Sequence, residues 1–139
     1  KYVKPTDHDA HTRISMVLAN AFMICGDRTQ MQAWFIRGRE HAVKNGDRAS
    51  VEALQYNKAA FATAWARVSS CTASVDTEEI ALLRGEVNSS RNLQDLAGIA
   101  ALSGHIRLTH ARLLVLEARY DLAVEAFNEV RVTEPFARP

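Results

Sequence analysis

Apolar positions recur at helical spacing along nearly the whole chain. Ile14, Val17, Leu18, Ala21 and Cys25 stand at the i, i+3, i+4, i+7 and i+11 offsets of one helix face. Gly26 follows, the residue type best able to take a left-handed conformation beyond a helix end, and Asp27 is placed to cap the next helix. The same device returns further on, where Gly46-Asp47-Arg48 echoes Gly26-Asp27-Arg28. Between these turns a second helix carries Met31, Trp34, Phe35, Gly38 and Ala42 on one face. Large residues come first and small ones last, an order that admits a close neighbour near Gly38 and Ala42.

A third, longer helix from about Asp47 carries Val51, Leu54, Phe61, Trp65 and Val68, with alanines in the gaps that favour helix intrinsically. The Ser- and Thr-rich stretch 69–74 is the clearest break. Asp76 with Glu79 has the spacing of a capping box and starts a fourth helix, expected to weaken at Asn88-Ser89-Ser90. A further helix is expected over about 92–117, with Gly98 and Gly104 weakening its continuity. The last spans about Asp121 to Val132 and stops before Pro135. No segment alternates with the period of two that a strand requires. The predicted fold class is all-α: about six helices joined by short turns as antiparallel hairpins, arranged as a right-handed array or a bundle.

The C-terminal segment resembles the second half of a tetratricopeptide repeat. Tyr120, Ala123, Phe127 and Pro135 fall at the family's spacing, and Ala111 stands where the family wants a small residue. The resemblance implies that Ala123 lets two helices lie close, that Phe127 fills the space between repeats and that Pro135 stops the helix. It departs from the family at Arg107, His110 and Ala118, which replace its tryptophan, leucine and pre-turn glycine. A weaker echo starts near residue 31, with Trp34 and Gly38 in register and Arg37 in place of leucine. In the register of 104–135 the family's groove-facing positions fall on His105, Leu108 and Arg112; in the weaker repeat they fall on Gln32, Phe35 and Arg39.

At 139 residues, 47% apolar and 24% charged, the composition suits one soluble globular domain over 1–139 and argues against disorder. Because the chain starts at Lys1, it is expected to be a piece of a longer protein. No apolar run approaches the ~18 residues of a membrane span. Cys25 and Cys71 show no CxxC spacing and are expected to be reduced, packed thiols in a cytoplasmic protein. The net charge of +1 hides an asymmetry: 1–75 carries +4 and 76–139 carries −3. Arg28, Arg37, Arg39, Lys44 and Arg48 cluster on or beside the second helix. A guanidinium binds carboxylate or phosphate bidentately, so an acidic peptide is a natural partner, although a merely solvated face is the simpler reading. Nucleic acid is not expected, since no basic stripe interleaves with stacking aromatics.

His8 and His11, flanked by Asp7 and Asp9, are the best metal-like group, but a solvated helix start explains them equally and no third ligand is evident. No GxSxG, HExxH, GxGxxG or phosphate-binding loop occurs, so neither catalysis nor a cofactor is expected. The expected function is a non-catalytic, regulatory protein–protein interaction module. The alternative is a helical sensor that holds a small molecule between its helices.

Overall fold

The computed structural model describes residues 4–97 and 102–130. They form six α-helices: α1 (His8–Ile24), α2 (Arg28–Lys44), α3 (Arg48–Ser69), α4 (Thr77–Ala97), α5 (Ser103–Leu116) and α6 (Tyr120–Asn128). No strand occurs among these residues. Consecutive helices pack as antiparallel hairpins, α1 with α2, α3 with α4 and α5 with α6. The chain divides into two compact units, Lys1–Lys58 and Ala59–Pro139.

Three of the turns are built alike. After α1, Asp27 N–H donates to Phe22 O and Gly26 N–H to Met23 O. After α2, Asp47 N–H donates to Ala42 O and Gly46 N–H to Val43 O. After α5, Arg119 N–H donates to Leu114 O and Ala118 N–H to Val115 O. Each is the Schellman closure, which needs a residue at positive φ just past the helix. Gly26 (φ 78°) and Gly46 (φ 67°) supply it cheaply, and Ala118 (φ 56°) does so against its Cβ. The next helix then starts on Asp27, whose Oδ1 accepts from Gln30 N–H at 2.9 Å, or Asp47, whose Oδ1 accepts from Ser50 N–H at 3.0 Å. Arg119 makes no such cap for α6.

In the first unit the helices approach through small residues. A Cβ built on Gly38 would lie 3.1 Å from Ser15 Cβ and 3.2 Å from Leu54 Cδ2. Accordingly α1 buries Thr12, Ser15 and Ala19, while Ile14, Val17 and Ile24 stay 41%, 66% and 79% exposed. The face expected from apolar periodicity is therefore not the packed one. Close contact selects side-chain size over hydrophobicity here, and the larger residues point away. Met31, Phe35, Gly38 and Ala42 form the buried face of α2, as their spacing predicts. Glu52 of α3 is only 1% exposed, its Oε1 finds no hydrogen-bond partner among the described residues, and burial raises its pKa.

In the second unit Ala59, Ala66, Leu83, Val87 and Leu113 form a core flanked by Ala62, Val75 and Leu116. Asp76 Oδ1 accepts from Glu78 N–H at 3.3 Å, so α4 begins where the capping spacing predicts. It does not weaken at Asn88-Ser89-Ser90. Val87 and Ser90 extend the buried stripe begun by Leu83, and Ser89 Oγ donates back to Gly85 O at 2.8 Å. Tertiary packing overrides three weak helix formers, and α4 continues to Ala97, so the helix expected over 92–117 is α5, starting at Ser103. Gly104 lies inside α5, whereas Gly98, Val132 and Pro135 lie outside the described residues. Cys25 and Cys71 are exposed free thiols rather than packed ones, because both fall in turn segments beyond their helices.

Candidate functional site

Burial of one face of α2 leaves Gln32, Ile36, Arg39 and Val43, at spacings of four, three and four, on the other. Ile36 is 50% and Val43 62% exposed, so the outward face is apolar as well as basic. Arg39 lies at its centre. It lines a hollow of about 40 Å³ with Phe35, Leu54 and Lys58, and a broader depression of about 400 Å³ with Ile36, Glu40, Val43 and Lys44. Arg37 is turned aside, its guanidinium carbon 4.9 Å from the centre of the Trp34 ring.

The sequence-predicted binding residues separate by exposure. Gln32 and Arg39 are exposed, while Phe35 is buried beneath the face and shares the lining of the small hollow with Arg39. His105, Leu108 and Arg112, on α5 in the second unit, are all half-buried. Ile36, one residue beyond Phe35, is the exposed apolar side chain that a strict family register passes over.

The fold also brings His41 of α2 to His8 and His11 of α1. The Nδ1 atoms of His8 and His41 are 2.9 Å apart, and the His11 and His41 rings stack with centroids 4.7 Å apart at 18°. A hydrogen bond between two imidazoles needs one neutral acceptor. Desolvation first, then the neighbouring His11, His8 and Lys44, lowers the His41 pKa, against a smaller opposing effect of Glu40. Asp7 is spent on capping, accepting from Ala10 N–H, and Asp9 pairs with Arg13 at 3.0 Å. Lone pairs of stacked imidazoles lie in parallel planes and do not meet at one ion, and no three metal-ligating side chains converge among the described residues. His41 was invisible in the sequence reading because no local spacing links it to His8.

The second unit holds a cleft of about 430 Å³ bounded by α4, α5 and α6. Arg91 Nη1 donates to His110 Nε2 at 3.4 Å, which requires that nitrogen to be unprotonated. Burial, and then the Arg91 charge, lowers the His110 pKa, with Glu117 opposing. Glu117 is itself held by Arg84 Nε at 2.7 Å and Arg119 Nη1 at 3.4 Å. His110 stands out in the sequence only as a departure from the family pattern, and Arg84, Arg91 and Glu117 not at all, since these residues come from different elements and form no motif.

No protein-family model, curated protein or solved structure matches the chain.

Proposed function

We propose that the chain is a non-catalytic, tetratricopeptide-like recognition module of a cytoplasmic regulatory protein, binding an acidic segment of a partner protein. The observation that carries this reading is the outward face of α2, where exposed Ile36 and Val43 flank Arg39, with Lys44 close by and Glu40 the one carboxylate in the same depression. Such a strip offers apolar area for affinity and guanidinium geometry for carboxylate choice. The hairpin architecture supports it, as do the small residues at the positions the resemblance assigns: Gly38 in close contact with Ser15 and Leu54, and Ala111 and Ala123 buried. Arg112 takes the equivalent position to Arg39 in the C-terminal repeat register.

Selection of peptides from a random display library tests the reading. Enriched sequences should combine Asp or Glu with apolar residues. Exchanging Arg39 and Arg112 for Glu should abolish their binding while leaving helical content unchanged. Selected peptides without acidic residues, or binding that survives the exchange with the same salt sensitivity, would contradict it.

A small-molecule sensing role is the second reading, favoured by the cleft of the second unit, whose volume lies in the range of ligand sites.

A further inference from the structure

The helices that line that cleft bring opposite charges to it. Arg91 comes from α4 and Arg107 from α5, whereas Glu125 and Glu129 come from α6. On α6 the two glutamates are four residues apart and so share a face. Arg107, Glu125 and Glu129 form no ion pair among the described residues. Arg119, also at the rim, is occupied by Glu117. Leu122 and Ala126 give the cleft an apolar part.

From this arrangement we infer that the cleft is a binding site for a small zwitterion with an apolar body, such as a free apolar α-amino acid. The carboxylate of the ligand meets the guanidinium groups of Arg91 and Arg107, which suit it bidentately. Its ammonium faces Glu125 and Glu129, and its side chain covers Leu122 and Ala126. A simple anion would leave the α6 carboxylates opposing it, and a simple cation would leave the arginines opposing it. A ligand with both charges satisfies both sets, which is how complementary charge gives specificity. The volume of about 430 Å³ accommodates such a molecule and excludes most of a folded partner. The inference gives the second reading its ligand class and is independent of peptide binding on α2.

His110 supplies the reporter. Its ring borders the cleft and accepts from Arg91, so a carboxylate at Arg91 changes the ring's surroundings and moves its pKa upward from its lowered value. The experiment is a titration of the whole chain with L-leucine, read by the NMR signals of the His110 ring, which His110→Asn assigns. Saturable shifts are expected. L-leucinamide, which lacks the carboxylate, and N-acetyl-L-leucine, which lacks the ammonium, should each bind at least about tenfold more weakly, as should leucine to Arg107→Gln and Glu125→Gln. Circular dichroism of both variants should match the parent. Three results would overturn the inference: no saturable shift with leucine, equal binding of N-acetyl-leucine, or a Glu125→Gln variant with unchanged affinity. Loss of peptide binding by Arg39→Glu leaves this titration unaffected, so the two proposals fail separately.

Discussion

Ala118 and Gly46 occupy the same place in equivalent turns, so exchanging glycine and alanine at each should give opposite effects. A left-handed conformation costs a non-glycine residue about 1–2 kcal/mol. Glycine in turn loses about 0.5–1 kcal/mol more conformational freedom than alanine on folding. At Ala118, with φ 56°, the first quantity exceeds the second, so Ala118→Gly should stabilise by about 0.5–1 kcal/mol. At Gly46, with φ 67°, no atom lies within 4 Å of a built Cβ. Gly46→Ala therefore carries no steric clash and should cost about 0.5–1 kcal/mol through the backbone alone, with Gly46→Val costing more because a β-branched residue resists positive φ. Urea denaturation followed by helical circular dichroism reads both. With a denaturant slope of about 1–3 kcal/mol per molar, Ala118→Gly should raise the midpoint of its transition, and Gly46→Ala lower it, by a few tenths of a molar. A lowered midpoint for Ala118→Gly, or an unchanged one for Gly46→Ala, would refute the common-turn account.

Other consequences concern packing and buried charge. Gly38→Ala gains about 1 kcal/mol of helix propensity but presses on Ser15 Cβ at 3.1 Å, and overpacking of about 1–3 kcal/mol should leave it less stable by thermal melting. Glu52→Gln should raise the midpoint at neutral pH, because a carboxyl whose pKa is raised by burial stabilises the fold only below its unfolded pKa and loses that contribution as pH rises through the folded value. The advantage of the variant should shrink toward acid pH; a constant advantage would show that the charge is not its source. Asp47→Ala should cost about 1 kcal/mol as a lost helix cap. The side-chain and backbone hydrogen bonds of Ser50 lower the Asp47 pKa, so this contribution is present above the unfolded pKa and should disappear as pH falls through the folded one.

The turns were legible because Gly26, Gly46, Asp27, Asp47 and Asp76 each answer a local geometric demand. The third such turn was placed by Tyr120 and Ala123, although Ala118 is a poor residue for it. Legibility failed where distant atoms decide. Ser15 is buried against a glycine and Ile14 is not, a choice made by the distance between helices rather than by hydrophobicity. The passage of α4 through Asn88-Ser89-Ser90 depends on what Val87 and Ser90 meet, which local propensity omits. Phe127 keeps 40% of its surface exposed, so the described residues do not enclose it as the resemblance implied. At the candidate sites Arg39 was anticipated, whereas His41, Arg91 and Glu125 acquire meaning only from neighbours far along the chain.

The claim that most needs testing is that the outward face of α2 recognises an acidic segment. Backbone NMR shifts recorded while a library-selected acidic peptide is added measure it directly. The largest changes should fall on Gln32, Ile36, Arg39 and Val43 and weaken with added salt, and Arg39→Glu should remove them. Shifts centred on other helices, or persisting in Arg39→Glu, would contradict the account.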